Sequence, residues 1–430
     1  VQLAGSYNDI GENTAAFKEI SLAAALRDRL SSRDALYVDA WQALFGTPVP
    51  ALEKWKTLAQ LYPDFFPAQG VFGYYAWQYA NGYDEAIKSY DKSALPQNPH
   101  PQLREYLLGT LQLGQEQYGE ADRHFAKARE LGLTRTEFQL ASDAAQRKLD
   151  KLDAALAGEK VLPISDKDVS AQNLRISLAV DRGRWNGAWS ALAADKLQLG
   201  GGISRGLRKL DGAEVSLRTL ADPAGHDTTR IASFLDGEIA ALATETGIDR
   251  SETIFHVLFA GYLAAARGDL KLAGSALAHA GPEARDRGYP VLSRMLAVTE
   301  AEVARASGKP EEAIRLLLKQ PLDGTELCLT HVALMYAHLA RGDRTAAMDQ
   351  ARWLANHRGR AYTEYNADWI ARPFNVAQSD LALLQMAELA RALGNRQQAS
   401  LSLKAFRQAW PGANDLSFIA PRLGKLEAGP

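Results

Sequence analysis

Apolar residues recur at helical spacing along most of this chain, in blocks separated by short polar turns. Phe17, Ile20 and Ala24 line one such face, and Ile87, Tyr90 and Ala94 line another. Between blocks one turn pattern returns: a glycine or polar residue, four residues of turn and polar character, then alanine. It reads GENTAA at 11–16, GTPVPA at 46–51, GRWNGA at 183–188, GDLKLA at 268–273, GKPEEA at 308–313, GDRTAA at 342–347 and GNRQQA at 394–399. Three copies lack the leading glycine: NGYDEA at 81–86, EQYGEA at 116–121 and DKLDAA at 150–155. The alanines Ala16, Ala51, Ala86, Ala121, Ala155 and Ala188 step by 35, 35, 35, 34 and 33 residues. Each period predicts two helices joined by a tight turn.

The residues explain the unit. Glycine ends a first helix because it accepts the left-handed conformation without a Cβ penalty. Polar residues or proline (Pro48, Pro310) open the second, where proline costs little. The alanine five residues after the glycine lets two helices cross closely. Proline closes units at Tyr62-Pro63, Asn98-Pro99 and Trp410-Pro411. Helix pairs of about 34 residues, G-x-x-x-x-A at the turn and a closing proline resemble tetratricopeptide (TPR) repeats. The resemblance implies an all-α, right-handed solenoid of helix pairs, with about ten units over most of the chain.

Two interruptions divide the array. Residues 188 to 273 span about two and a half units and include Gly200, Gly201, Gly202 and the loop 222–227. Residues 347 to 399 exceed a unit by about 18, and the excess near 355–380 carries Tyr362, Tyr365, Trp369 and Phe374. A polar connector needs no such aromatics, so this insertion is expected to pack back onto the array. The expected organisation is a regular array over 1–198, a degenerate helix pair or connector over 199–250, and a second array over 251–430 with the insertion and a C-terminal cap. Val1 falls about four residues inside a first helix, with no initiator Met and no signal peptide, so the chain is expected to be the later portion of something longer.

Composition narrows the function classes. Forty-nine basic and fifty-one acidic side chains give a formal charge of −2, with no basic stripe for nucleic acid. The strongly apolar stretch 254–266 is too short to span a bilayer and contains His256. One cysteine, Cys328, excludes an internal disulfide and suits cytosol or periplasm alike, with the cytoplasm favoured. Eight histidines show no metal-ligand spacing, and His331 and His338 lie about 10 Å apart along a helix, too far to share an ion. The glycine-rich stretch 199–206 lacks the Gly-Lys-Ser/Thr of a phosphate loop, and no nucleophile elbow occurs. No catalytic residue, metal or cofactor is expected, and no enzyme.

What remains is surface for binding. In TPR proteins the first helix of each unit lines the inner groove. Counting eleven residues back from the alanine places Tyr75, Thr110, Tyr262 and Tyr336 there, with Gln78, Tyr79 and Tyr106 beside them. Two readings stand: rings that fill the inside of a tight superhelix, or rings that contact a protein or peptide ligand. The Lys and Asn clamp that grips chaperone C-termini is missing, because its positions hold Val1 and Gly5, Leu36 and Ala40, and Val71 and Tyr75. The stretches 33–41 and 61–68 resemble TPR arrays that trail a cyclase, kinase or winged-helix effector in bacterial regulators. That resemblance implies a sensory or interaction module, and the alternative is a scaffold for envelope or secretion assembly. An exposed terminal helix would allow homodimerisation.

Overall fold

A computed structural model describes residues 1–9, 12–46, 50–134, 137–157, 169–200, 204–223 and 225–428. Gly11, Pro48, Gly201 and Gly202, which the sequence analysis singles out, lie outside the described residues. The repeat turn works as its residues dictate. At Gly342 the backbone turns left-handed (φ 84°), and Asp343 then caps the next helix by accepting from the Ala346 amide. Asp269 and Asn395 cap in the same way, accepting from Leu272 and Gln398. The alanine that follows is buried in its pair at Ala86, Ala121, Ala188, Ala273, Ala313 and Ala347. The fifth copy sits three residues earlier than its alanine spacing predicts. Arg147 takes the left-handed position (φ 54°) and Leu152 fills the buried slot, because the chain continues α-helical through Asp150.

The described residues form helical elements labelled α1 to α25, of which α22 is a left-handed turn, and no strand. The first six pairs are α1 (Gln2–Asp9) with α2 (Asn13–Ala24), α3 (Ser32–Phe45) with α4 (Ala51–Leu61), α5 (Phe66–Ala80) with α6 (Tyr83–Lys92), α7 (Pro101–Gly114) with α8 (Tyr118–Glu130), α9 (Glu137–Ala145) with α10 (Leu149–Ala157), and α11 (Ser170–Asp181) with α12 (Trp185–Leu199). Where the period lapses, α13 (Arg205–Ala221) and α14 (Thr229–Leu242) form another pair. Then come α15 (Gly247–Ala266) with α16 (Leu270–Asp286), α17 (Pro290–Ala306) with α18 (Pro310–Leu317), and α19 (Cys328–Arg341) with α20 (Arg344–Asn356). Two short turns follow, α21 (Arg358–Thr363) and α22 (Asn366–Trp369). The last pair, α23 (Arg372–Ala392) with α24 (Arg396–Ala409), is capped by α25 (Ala420–Glu427). The fold is therefore an all-α solenoid of helix pairs.

The solenoid coils until its N-terminal pairs meet pairs from the second half of the chain. Helix α3 touches α15 and α5 touches α17, six pairs further along the chain. Tyr79 stacks on Tyr289 with ring centroids 4.6 Å apart, and the Asn13 amide donates to Asp249 at 2.8 Å. The insertion fills the middle of this coil. Helix α21 packs on α7, α9 and α23, while α22 packs on α11 and α15, and α23 itself lies along α11 and α13. The inside of the superhelix is thus occupied by the chain's own residues.

Candidate functional site

The inserted segment is held first by residues of the repeat turns. The three consecutive turns that lack the leading glycine place Asn81, Glu116 and Arg147 in left-handed conformations, at φ 57°, 61° and 54°. Each turns its side chain toward the C-terminal half of the chain. Asn81 Nδ2 donates to the Glu326 carbonyl at 2.8 Å and to Glu364 Oε2 at 3.3 Å. The Glu116 carboxylate accepts from the backbone amides of Gly359 and Arg360, at 3.1 and 3.0 Å, where α21 begins. Arg147 Nη2 pairs with Asp380 Oδ1 at 2.9 Å. The next turn keeps its glycine for another reason: a Cβ on Gly183 (φ 68°) would stand 2.9 Å from Trp410. Four successive turns therefore meet the inserted segment or the helices that follow it.

Side chains of the inner helices add backbone contacts to the same segment. Trp77 Nε1 donates to the Thr363 carbonyl at 3.0 Å, and His256 Nε2 donates to the Ala367 carbonyl at 2.9 Å. Tyr83 Oη and Thr363 Oγ1 share a hydrogen bond of 3.0 Å. The segment answers with its own cations. Arg360 Nη2 donates to the carbonyls of Gly324 and Glu326, and its guanidinium lies 4.1 Å from the Tyr83 ring centre.

Arg358 is the deepest anchor. Its guanidinium donates to Asp181 at 2.5 Å, to Asp380 at 2.7 Å and to the carbonyls of Ala144 and Ala145 at 3.2 Å. Tyr362 Oη donates to the other Asp181 oxygen at 2.5 Å, and Trp410 Nε1 to Asp380 at 3.2 Å. The two carboxyls lie within 2% of complete burial. Burial pushes the Asp380 carboxyl up to about 7, against the pull of Arg358 and with the help of the Asp181 charge. Burial works against Asp181 as well, but Arg358 holds it below the usual carboxylate range. Arg358 is likewise disfavoured by burial and raised by both carboxylates. At Glu116 burial raises the carboxyl, opposed by hydrogen bonds from Tyr118 and the two backbone amides. Isolated charges at this depth would be prohibitive, so their pairing is a condition of the fold.

The groove positions read from the sequence are divided by this arrangement. Tyr75, Gln78, Tyr79, Tyr106, Thr110 and Tyr262 are buried, and Tyr336 is half-buried. Tyr75 stacks on Tyr79 at 5.5 Å, at the seam with α17. Tyr106 packs between Phe125 and Phe138, and Thr110 Oγ1 donates to the Tyr106 carbonyl. Tyr262 meets the insertion aromatic Phe374 at 6.2 Å. Of the other insertion aromatics, Tyr362 joins the Arg358 cluster, and Tyr365 Oη donates to Glu252 at 2.9 Å. Trp369 packs against Trp77, Phe138 and Tyr365. Beside Gln78, Tyr79 and Tyr365 is a crevice with room for about one water molecule. Among the described residues no group of histidine, cysteine or carboxylate side chains has metal-ligand geometry, and no helix is long and apolar enough to cross a membrane.

Asn81, Glu116, Arg147, Asp181, Asp380 and His256 were not picked out by the sequence motifs. A signal existed for two of them: Asn81 and Glu116 stand where most other copies carry glycine. The charged partners have none, since pairs such as Arg358 and Asp181 lie 177 residues apart.

No protein-family model matches the chain, and no curated protein matches it. Among solved structures it is similar to a chain in the one described as "Structure of Naa15/Naa10 bound to HypK-THB", with 12% identity and a TM-score of 0.26. That alignment covers 96% of this chain and 64% of the other, so the present chain spans less than two thirds of its length.

Proposed function

We propose that this chain is a non-enzymatic protein-interaction module, the sensory or interaction part of a larger bacterial regulator. The observation that carries the reading is the chemistry of the repeat turns and inner helices. Glu116, Trp77 and His256 contact backbone amides and carbonyls of a peptide segment, which is how a polypeptide is bound irrespective of its side chains. Here the bound polypeptide is the chain's own insertion. Such an array presents a preformed body to a partner, and the partner's differential affinity for two states of the regulator would set the output.

The test is made in the full open reading frame. Deleting the codons for residues 1–430 is expected to leave an effector's basal activity and abolish its response to the cell's signal. An effector that responds normally without the array would overturn the reading. Loss of an envelope or secretion complex, with no change in any effector, would favour a scaffold instead.

A further inference from the structure

Asn366, Ala367, Asp368 and Trp369 have φ of 45°, 48°, 65° and 70°, four successive non-glycine residues wound left-handed. Steric contact between Cβ and carbonyl oxygen disfavours each of these positions, and a bulky residue such as Trp369 most of all. The Asn366 amide is 2% exposed, and neither its oxygen nor its nitrogen has a hydrogen-bond partner. Such a turn persists only where its surroundings hold it. Four clamps do so. Lys209, itself 1% exposed, pairs with Asp368; His256 holds the Ala367 carbonyl; Glu252 holds the Tyr365 hydroxyl; and Arg372 lies 3.6 Å over the Trp369 ring. The preceding stretch is different in kind. Helix α21 is right-handed, and Arg358, Arg360 and Tyr362 are each hydrogen-bonded to partners outside it.

We propose that residues 365–371 form a strained latch that opens on its own, while α21 stays anchored. The latch bridges the two halves of the coil. Trp369 reaches Trp77 of α5 and Phe138 of α9, whereas Asp368 and the Ala367 carbonyl reach α13 and α15. Tyr365 and Ala367 also line the water-sized crevice beside α5 and α15. Release would separate aromatic surface on α5 and α9 from the charged faces of α13 and α15. The inference concerns the latch alone and stands whether or not the inner face contacts a partner.

Hydrogen exchange of the whole chain, followed by peptide mass spectrometry, tests it. Ala367→Gly removes one Cβ from a left-handed position, so exchange over 365–371 should slow by about five-fold or more. Lys209→Met removes the clamp on Asp368 and should quicken the same amides by about ten-fold or more, with α21 unchanged. If Lys209→Met does not fold, the glycine variant alone decides. Exchange over 365–371 that is unaffected or quickened by Ala367→Gly would overturn the proposal. So would amides of 365–371 and α21 that open only together.

Discussion

The repeat turns come in two kinds. At Gly268, Gly308, Gly342 and Gly394 the chain turns left-handed in the open, and a Cβ at any of them would meet nothing within 4 Å. At Asn81, Glu116 and Arg147 the same conformation is imposed on residues with side chains, and each side chain reaches the far half of the molecule. A non-glycine residue in this conformation costs about 1–2 kcal/mol, less for Asn. The N-terminal units accept that cost three times in succession, and the C-terminal glycine turns avoid it. The difference shows what these turns do. The N-terminal ones do not merely reverse the chain; they grip the insertion around which the solenoid is wound. A solenoid of independent neighbours would have no use for such residues.

Several changes would break or sharpen this comparison. The largest effect is expected from Arg358→Ala, which leaves the buried Asp181 without its cation and Asp380 with Arg147 alone. Chemical denaturation should show a loss of about 3–5 kcal/mol. Next is Glu116→Gly, which converts a gripping turn into an open one. It relieves the backbone but strands the amides of Gly359 and Arg360, so a net loss of about 1–3 kcal/mol is expected. A gain in stability would mean that the contact contributes nothing.

The Arg358 cluster should also make stability depend on pH. The folded chain keeps the Asp380 proton up to about pH 7, whereas the unfolded chain releases it near the ordinary carboxyl value of 3.8. The folded state thus binds more protons between those limits, and this group's contribution falls as pH rises from about 4 to about 7, then levels off. The depressed Asp181 acts oppositely, but only in more acid solution. Thermal melts between pH 5 and 7 should therefore fall for the native chain relative to Asp380→Asn, in which the opposing slope of His338 and His357 is unchanged. The smallest effect belongs to an open turn. Gly342→Asn should cost only a few tenths of a kcal/mol, because Asn tolerates the left-handed cap and nothing crowds it. A loss as large as that of Glu116→Gly would erase the distinction between the two kinds of turn.

The helix pairs were legible because their signal is local: a turn residue, a cap and a buried alanine within six positions. The fifth copy slipped by three because DKLDAA imitates the motif inside a helix, while the true turn residue, Arg147, does not look like glycine. That the insertion packs back was legible in its four aromatics. Where it packs was not, since its partners are single residues such as Asp181, His256 and Lys209, each more than a hundred positions from the residue it holds and unremarkable in its own helix. The tyrosines counted as groove positions lie on α5, α7, α15 and α19, the first helices of their pairs. What covers them depends on closure of the whole coil, which no local pattern records.

The central claim is that the insertion welds the coil into one cooperative body, and native-state hydrogen exchange at increasing denaturant tests it most directly. Amides of α5 and of α19 should converge on a single opening free energy in the native chain and diverge in Arg358→Ala. Separate opening of α5 and α19 in the native chain would contradict the claim, showing a solenoid that unzips unit by unit despite its occupied interior.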